Sequence, residues 1–419
     1  MNKSVKRLFT QSIWKNIPEV PKDKILHENM LYNEEKNTNK VNLTIGAYRD
    51  ENGKPWILPS VKLAAKKIDI NPEHNYEYIK MTGDREFTEM SVALAYGRDQ
   101  NTGLLANKYT MDQIAQVQTL SGAGGVFFSL QMIKNFYNNF DGIVYTSQPT
   151  WPVHNSMTQM QGLQVKHYRY YDLENRVFDY NAMLEDLKAM PENSFVIMHP
   201  VGHNPTGFDP SHAQWREILD VVKEKNFFIL MDMPYQGFVS GDPEKDGYAV
   251  RLFAENDVNM FVAQSFAKNF GLYGHRIGVL STPNQDVELV EKMNKYFGHM
   301  TRNTYSSPPR FGSDVIKTIL SDPDLVKMWK RDLRTMSNRI IKMRQMLYEE
   351  LQKCGVKDDW SYVLRQQGMF AFTHLQPNHA QELKKKFAIY MLENGRISLT
   401  GLTEKNVDYV AKGIAEVTK

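Results

Sequence analysis

The chain has 419 residues, of which 42% are hydrophobic and 24% are charged, a composition typical of a globular protein with one large or two moderate domains. The formal net charge is only +3 and the basic residues are scattered, so nothing points to a nucleic-acid or membrane partner. Cys354 is the single cysteine, which excludes an intrachain disulfide and a cysteine-based zinc site. No apolar run approaches the roughly 18 residues of a membrane span.

The chain starts with the segment MNKSVKRLFTQSIW, which is basic and contains no acidic residue. A short basic segment is typical of a mitochondrial transit peptide, and also of an arm that packs against a second subunit. We predict an N-terminal arm over residues 1–15. We expect a cytoplasmic protein, with the mitochondrion as the alternative location.

The segment LSGAGGVFFSLQMI, residues 120–133, places small residues directly before an apolar helical run. Free N–H groups at such a helix start can bind a phosphate group. Phe127 stands at the third glycine position of a dinucleotide-binding fingerprint, and no G-K-[ST] follows, so neither that fingerprint nor a P-loop is predicted. A tight turn explains the segment equally well.

The middle of the chain alternates between helical and strand patterns. SHAQWREILDVVKEKN predicts an amphipathic helix, and FFILMD and VNMFVAQSF predict buried strands. This alternation predicts a parallel sheet with crossover helices. Ligands of such sheets bind beyond the carboxyl ends of the strands, so the polar residues in HPVGHNPTG and DMPYQGF are candidate site residues.

Three of these polar residues are the strongest candidates. Asp232 follows a buried strand and needs a cation or hydrogen bonds to remain ionised. Tyr235, three residues later, is expected to face the same cleft. Asn204 lies in a constrained HNPTG loop and offers an amide, although an ordinary Asx turn would also explain it.

Lys268 lies among aromatic residues and glycines in SFAKNFGLYGHRIG, residues 265–278. Partial desolvation in such a pocket lowers the pKa of a lysine and makes its amine a nucleophile or a base. A lysine whose stem merely crosses apolar surface is the ordinary alternative. Arg276 and Arg396 are flanked by glycine and suit bidentate binding of an oxyanion, although each alone could form a structural ion pair.

After Pro323 the pattern predicts one long helix up to Gly355. Its apolar stripe is predicted to be core and comprises Trp329, Leu333, Met336, Ile340, Met343, Leu347 and Leu351. The helix is expected to lead into a second, smaller domain.

No single structural explanation covers a pocket lysine, an acid at a strand end, a phosphate-type loop and two arginines. Together they match the requirements of pyridoxal 5'-phosphate.

Several motifs resemble the aspartate and aromatic aminotransferase subfamily of fold-type I pyridoxal phosphate enzymes, and the broad-specificity aspartate aminotransferases of protozoa most of all. The motifs are SFAKNFGLYGHRIG, HNPTGFDPSHAQW, DMPYQGF, YSSPP and NGRISLTGL. The resemblance covers nearly the whole chain. It implies an α/β fold with a large domain, residues 59–325, that has a mostly parallel seven-stranded sheet between helices. Residues 16–58 and 326–419 would form the smaller α/β domain.

The resemblance also implies roles for individual residues. Lys268 would form the Schiff base with the cofactor and transfer the substrate proton. Asp232 would pair with the pyridinium nitrogen, and His199 would support Asp232. Tyr235 and Asn204 would bond the phenolic oxygen of the cofactor.

The remaining implied ligands bind the cofactor ring and phosphate, or the substrate. Trp151 would stack on the ring. The residues implied for the phosphate side are Ser121, Gly122, Ala123, Ser265, Arg276 and, from a second subunit, Tyr78. Arg396 would hold the substrate α-carboxylate near Asn204 and Trp151, with Gly46 closing over it. Arg302 would reach across the dimer to the distal carboxylate of aspartate or glutamate.

Some positions depart from the family pattern. Ala123 and Ala267 stand where hydroxyl residues are usual on the phosphate side, so cofactor affinity is expected to be lower. His275 replaces a glutamate before Arg276, which would leave that arginine less well paired. Val153 would widen the pocket. Pro234 would stiffen the turn between Asp232 and Tyr235.

The expected activity is transamination between L-aspartate and 2-oxoglutarate, giving oxaloacetate and L-glutamate, with aromatic amino acids as candidate further substrates. A mainly aromatic aminotransferase is the first alternative. A different pyridoxal phosphate reaction, such as β-elimination, and a non-catalytic dimeric scaffold are the remaining candidates. We expect a homodimer with shared active sites that binds amino acids and 2-oxo acids, without a metal, nucleic acid or membrane partner.

Overall fold

The computed structural model describes residues 14–20, 22–138 and 140–419. The strands, in chain order, are β1 (Val41–Asn42), β2 (Ile114–Leu120), β3 (Ile143–Gln148), β4 (Gln164–Arg169), β5 (Tyr171–Asp172), β6 (Val177–Phe178), β7 (Phe195–Met198), β8 (Phe228–Met233), β9 (Met260–Ser265), β10 (Ile277–Pro283), β11 (Phe370–Phe372), β12 (Ile389–Tyr390) and β13 (Arg396–Ser398). The predicted arm, residues 1–15, lies almost wholly outside the described residues.

The helices surround and connect these strands. In chain order they are α1 (Lys24–Glu34), α2 (Pro59–Asp69), α3 (Arg85–Tyr96), α4 (Ser121–Phe136), α5 (Pro152–Met160), α6 (Tyr180–Ala189), α7 (His212–Glu224), α8 (Pro243–Asp246), α9 (Tyr248–Glu255), α10 (Val287–Thr304), α11 (Phe311–Ser321), α12 (Pro323–Lys353), α13 (Tyr362–Arg365), α14 (Pro377–Phe387) and α15 (Val407–Val417). None of those in the described part of the chain is long and apolar enough to cross a membrane.

Seven strands form the central sheet in the spatial order β2, β10, β9, β8, β7, β3, β4. Strand β10 runs antiparallel to both of its neighbours, and the other pairs are parallel. The predicted mostly parallel seven-stranded sheet is therefore confirmed. Strands β7 and β9 are buried along their whole length, as expected for strands covered by helices on both faces.

Local signals in the sequence explain where the helices begin. The Ser211 hydroxyl accepts a hydrogen bond from the backbone N–H of Gln214, and the Gln214 side chain accepts one from the backbone of Ser211, which is a capping box for α7. The Asp322 side chain caps α12, and Pro323 occupies its first turn, where a missing N–H does no harm.

The long helix α12 packs against α15 near the C-terminus and against α2. All seven residues of its predicted apolar stripe are buried. The Trp329 indole stacks on the ring of Phe270 at 4.5 Å and donates a hydrogen bond to the carbonyl oxygen of Asn269 (2.8 Å). Because these two residues follow Lys268 closely, α12 fixes the segment that carries the lysine.

The terminal regions of the chain form a smaller layer. Strand β1 pairs in parallel with β12, and β11 pairs antiparallel with β13. Strand β13 carries Arg396, and the backbone N–H of Ser398 donates to the carbonyl oxygen of Leu43. The division into residues 59–325 and residues 16–58 with 326–419 stays a prediction.

Candidate active site

A cavity of about 210 Å³ opens where the parallel strands end. Its walls consist of Ile25, Gly46, Ser121, Gly122, Ala123, Trp151, His199, Asn204, Asp232, Pro234, Tyr235, Ser265, Lys268, Arg276, Phe370 and Arg396. The side chains predicted from the strand ends and from the resemblance thus meet in one place, apart from Tyr78 and Arg302. They converge because the carboxyl ends of parallel strands in an α/β sheet meet at one edge, where ligands bind.

Lys268 follows strand β9 and faces Tyr235, with 5.2 Å between its Nζ atom and the centroid of the tyrosine ring. Burial, together with the positive charges of Arg276 and Arg396, lowers the pKa of Lys268 to about 8, although Asp232 acts in the opposite direction. A substantial fraction of the amine is therefore neutral near pH 7 to 8. A neutral amine is what nucleophilic attack and proton abstraction require.

Asp232 lies near the end of β8 with its carboxylate buried. Burial alone would raise the pKa of Asp232, but the hydrogen bond and charge of His154 and the charge of Lys268 hold it below its usual range. The Nε2 atom of His154 lies 3.0 Å from Oδ2 of Asp232, whereas that of His199 lies 3.9 Å away. The direct partner of the carboxylate is therefore His154, and the predicted partner His199 is the more distant one.

Both imidazoles beside Asp232 are buried. Burial and the charge of His154 lower the pKa of His199 to about 3, so His199 is neutral at physiological pH. Ligand atoms of His154, His199 and Asp232 also come within 4.8 Å of one another, a spacing that metal ligands can have. The hydrogen bond from His154 and the neutral ring of His199 beside it account for the arrangement as support of Asp232. The predicted lack of a metal stays a prediction.

The predicted phosphate loop forms the start of α4. Ser121 has a left-handed backbone (φ +61°), and its hydroxyl lies 2.8 Å from the hydroxyl of Ser265 on the end of β9. A Cβ atom on Gly122 would lie 3.3 Å from Cβ of Ser265 and 3.6 Å from Oδ1 of Asp232, so only glycine leaves this corner open. Backbone N–H groups at a helix start, two hydroxyls and Arg276 suit a phosphate group.

Arg276 completes the phosphate side. Its backbone is left-handed (φ +56°), and its Nη1 atom donates to the carbonyl oxygen of Tyr273 at 3.1 Å. His275, the residue before it, stacks on Phe311 and not on the arginine. The guanidinium therefore keeps most of its donors available for a ligand.

Arg396 enters the cavity from β13. Its Nη2 atom donates to the carbonyl oxygen of Thr44 (2.7 Å) and its Nη1 atom to Oδ1 of Asn204 (3.5 Å), while its Nε atom is buried with no hydrogen-bond partner among the described residues. Burial lowers the pKa of Arg396 to about 10, so the guanidinium stays charged. A buried cation that lacks a carboxylate partner in the described chain is prepared for an anionic ligand.

Two predicted residues lie outside the cavity. Tyr78 is 85% exposed and lies between α2 and α3, outside any helix or strand. Arg302 lies in the last turn of α10, where its guanidinium is exposed and its Nη1 atom donates to the Ser306 hydroxyl at 2.6 Å. Neither residue contacts the site of its own chain. This placement agrees with their expected action on a second subunit but does not test it.

Three residues at the site were not predicted. His154 lies one helical turn after Trp151 on α5, so its position on the same helix face was a usable signal. Phe370 places its ring 4.3 Å from the Arg396 guanidinium carbon, and Ile25 on α1 lines the cavity. Apolar residues of this kind carry no signal that separates a ligand contact from ordinary core.

The donor set fits pyridoxal 5'-phosphate. The cavity offers a low-pKa lysine, a buried ionised carboxylate for a ring nitrogen, and a glycine corner with hydroxyls for a phosphate. The unpaired Nε atom of Arg396 supplies a donor for a carboxylate. Each feature meets a separate requirement of the cofactor or of an amino-acid substrate.

Comparisons with known proteins agree with this geometry. Residues 38–414 match the model of the family described as aminotransferase class I and II. The mitochondrial aspartate aminotransferase of Dictyostelium discoideum is 39% identical over 421 residues, covering 100% of this chain and 96% of that protein. The cytoplasmic aspartate aminotransferase of Schizosaccharomyces pombe is 39% identical and covers 95% of this chain and 96% of that protein. The broad-specificity aminotransferase of Leishmania mexicana has a TM-score of 0.91 at 32% identity, covering 100% of this chain and 99% of that one.

Proposed function

The chain belongs to the aminotransferase class I and II family, and we propose that it transfers the amino group of L-aspartate to 2-oxoglutarate, giving oxaloacetate and L-glutamate. Relatives named aspartate aminotransferase support this substrate assignment, since they match the chain over nearly its whole length. The observation that carries the proposal is that Lys268 and Arg396 meet in one cavity, the first with a lowered pKa and the second with an unpaired Nε atom.

Pyridoxal 5'-phosphate supplies the carbonyl group that accepts the amine and a ring that withdraws electrons. In the proposal, the Nζ atom of Lys268 removes the proton from Cα of the amino acid and delivers a proton during the return half-reaction. Its lowered pKa suits it to both directions near neutral pH. Asp232 would hold a proton on the ring nitrogen of the bound cofactor, and the 3.0 Å contact with His154 helps to keep Asp232 ionised.

Other residues are proposed to position the cofactor. Tyr235 and Asn204 bind the phenolic oxygen, and burial raises the pKa of Tyr235 so that it remains a donor. Trp151, at the N-cap of α5, covers the ring. The phosphate contacts are Ser121, Gly122, Ala123, Ser265 and Arg276.

The substrate side is proposed to involve a second subunit. Arg396 binds the α-carboxylate, and Gly46 lies over it at the cavity wall. Arg302 and Tyr78 act on the partner's cavity, in a homodimer with shared sites. Their exposure and their separation from the cavity of their own chain support this assignment.

The second candidate is a mainly aromatic aminotransferase. The likeness to a broad-specificity aminotransferase favours it. The deciding experiment measures kcat/KM for aspartate, tyrosine, phenylalanine and tryptophan with 2-oxoglutarate as acceptor. The highest value for aspartate supports the proposal, and a higher value for tyrosine or phenylalanine overturns it in favour of the second candidate.

Two further measurements test β-elimination and a non-catalytic scaffold. Keto acid that forms from aspartate only when 2-oxoglutarate is present indicates transamination and excludes β-elimination. A cofactor absorbance band that borohydride removes excludes a non-catalytic scaffold.

We propose a cytoplasmic location, with the mitochondrion as the alternative, since the named relatives include proteins of both compartments. Fractionation of the source cells, with marker enzymes for each compartment, decides between the two. Recovery in the mitochondrial fraction would overturn the cytoplasmic assignment.

A further inference from the structure

A second cavity, of about 450 Å³, shares a wall with the catalytic cavity. Ile45 and Ala47 line this second cavity, whereas Gly46 between them lines the catalytic one. Helix α1 contributes to both, through Asn29 to the second cavity and through Ile25 to the catalytic cavity. Nothing in the proposed transamination uses the second cavity.

The charge of the second cavity is predominantly positive. Lys40, Arg49 and Lys405 line it, against the single acidic residue Glu51. Arg49 and Lys405 form no hydrogen bond or ion pair with any residue in the described ranges. The Nζ atom of Lys40 donates to the carbonyl oxygens of Tyr32 and of Glu35, each at 2.8 Å, so its charge is held in place at the cavity wall.

The one acid does not neutralise these cations. One carboxylate oxygen of Glu51 pairs with Arg339, and the other accepts a hydrogen bond from the backbone N–H of Glu404 (3.2 Å). Both oxygens are therefore occupied. The nearby Asp50 uses its Oδ1 atom to accept from the backbone N–H groups of Asn52 and Lys54.

The rest of the lining is rich in neutral hydrogen-bond donors. The amide and hydroxyl residues are Asn29, Tyr32, Asn33, Asn42, Asn52, Thr400, Thr403 and Asn406. The amides of Asn42 and Asn406 and the hydroxyl of Thr400 already donate to other residues of the chain. An arginine, a lysine and several amides around a concave space are the chemistry that binds oxyanions with more than one negative charge. An uncharged or cationic molecule would leave the two cations without a counterion.

We propose that the second cavity is a binding site for a small oxyanion with two or more negative charges, such as a phosphate group, held by Arg49 and Lys405. Arg49 belongs to the segment that contains Gly46, and Lys405 belongs to the loop before α15. A bound anion ties these two segments together beside α1.

The site is positioned to influence substrate binding. The carbonyl oxygen of Thr44 accepts a hydrogen bond from Arg396, and Thr44 in turn donates to Asn42 (2.7 Å), whose amide donates to Asn29 on α1 (2.8 Å). On the other side, the Thr400 hydroxyl donates to the carbonyl oxygen of Ala47 (2.9 Å). An anion that fixes these segments is therefore expected to lower KM for aspartate, a part of the inference that depends on the proposed function.

The binding test uses the holoenzyme, in which the cofactor fills the phosphate side of the catalytic cavity. 2-Oxoglutarate is left out because it is itself a dianion of the proposed class, and phosphate bound at Arg396 is told apart because substitution of Arg49 or Lys405 leaves that binding unchanged. Inorganic phosphate is titrated by calorimetry into wild type, Arg49→Gln, Lys405→Gln and the control Lys385→Gln. Lys385 on α14 is exposed and lies outside the second cavity, and its substitution makes the same change in charge. Glycerol 3-phosphate is titrated in parallel to separate free phosphate from the phosphate group of an organic molecule.

We expect one phosphate per wild-type chain. Each cavity substitution should weaken binding at least about tenfold, which corresponds to about 1.4 kcal/mol, and the control should leave it unchanged. Lys405 is exposed, so its substitution keeps the test valid even if Arg49→Gln lowers the melting temperature. Absence of phosphate binding to wild type, or equal weakening in all three variants, overturns the site.

A kinetic experiment tests whether anion binding in the second cavity affects aspartate binding in the catalytic cavity. Phosphate should lower KM for aspartate in wild type and have no such effect in Arg49→Gln. An identical effect of phosphate on both proteins overturns the coupling to the catalytic cavity. Because the calorimetric arm does not depend on turnover, failure of the proposed activity would leave the binding result intact and distinguishable.

Discussion

The two ends of the catalytic cavity are built in different ways. At the end occupied by Asp232, every supporting group comes from the central sheet or from α5 of the same chain and is buried. At the end occupied by Arg396, the partners are a backbone carbonyl of Thr44 and the amide of Asn204, and the arginine keeps a free Nε atom. Arg302, proposed for this end, lies elsewhere on its own chain.

This difference suggests that the Asp232 end serves proton transfer, whereas the Arg396 end determines which amino acid binds. The carboxylate and its two imidazoles are held by strand ends and by α5, so their geometry follows from the fold and changes only if the sheet changes. The Arg396 end, where we propose that the substrate carboxylates bind, is assembled from the Thr44 segment, β13 and, in our proposal, a second subunit. Substitutions there can alter which amino acid binds while leaving proton transfer at Lys268 intact.

The largest expected effect is that of Lys268→Ala. The Lys268 side chain donates no hydrogen bond to a described residue, so its removal should leave a folded protein that still binds the cofactor. Turnover of aspartate should fall almost to zero, because the group that we propose to move the Cα proton is absent. Near-normal turnover in this variant would show that another residue performs the transfer.

Asp232→Ala tests the buried end of the cavity. Without this carboxylate the ring nitrogen of the cofactor would lose the group proposed to keep it protonated, and a neutral ring withdraws electrons poorly. The value of kcat should therefore fall at least about a hundredfold, which corresponds to about 2.7 kcal/mol. The melting temperature should change little, since burial of the carboxylate is itself unfavourable. Wild-type kcat would show that another group protonates the ring.

Asp332→Ala is the matched control for that variant. Asp332 is also buried, but its carboxylate accepts hydrogen bonds from the backbone and hydroxyl of Ser60, away from the cavity. Its loss should lower the melting temperature while kcat is retained. The opposite responses of two buried acids would assign the effect of Asp232 to catalysis.

The sequence predicted the buried end well because its residues follow strands. Asp232, Lys268 and Ser265 each come directly at or after an apolar run, and the carboxyl ends of parallel strands meet at one edge. Such positions can be inferred without knowing the packing of side chains. The phosphate loop was predicted for a similar reason, since small residues before a helical run are visible in the sequence.

Two contacts of the site could not be inferred from the sequence, one at Arg396 and one at Asp232. The contact between Phe370 and Arg396 joins two antiparallel strands, and apolar residues at such contacts look the same as core residues. His154 was missed because the family resemblance implied only His199 as the support of Asp232, although the helix that starts after Trp151 brings His154 closer to Asp232. Distances of 3.0 and 3.9 Å cannot be read from spacing alone.

Arg302→Leu tests the end of the cavity that Arg396 occupies. A hydrogen bond between charged groups is worth about 1.5–3 kcal/mol, and an unpaired buried carboxylate adds to the loss. The value of kcat/KM for aspartate should therefore fall at least about a hundredfold, at tenfold per 1.36 kcal/mol. Phenylalanine has no distal carboxylate and should stay within a few-fold of wild type. Equal losses for both substrates would instead assign Arg302 to the dimer or the cofactor.

A mixing experiment tests whether Arg302 acts on the partner subunit. Lys268→Ala and Arg302→Leu chains are each expected to have little aspartate activity. A heterodimer of the two has one site with both defects and one site with neither, so activity should return on mixing. If no activity returns although subunit exchange is confirmed, the shared site is wrong.

The smallest effect is expected for His154→Ala. This variant tests how strongly the role of Asp232 depends on its hydrogen bond with His154. Without His154, burial would raise the pKa of Asp232, since the nearest remaining imidazole lies 3.9 Å from the carboxylate and is neutral at physiological pH. The value of kcat should fall about tenfold, the lower limit for loss of a hydrogen bond to a charged group. The acid limb of the pH profile should also move to higher pH, because Asp232 would become protonated at a higher pH than in wild type. A structural role alone would lower the melting temperature without moving that limb. Partial recovery in His154→Gln, whose amide can still donate to Asp232, would assign the effect to the hydrogen bond itself.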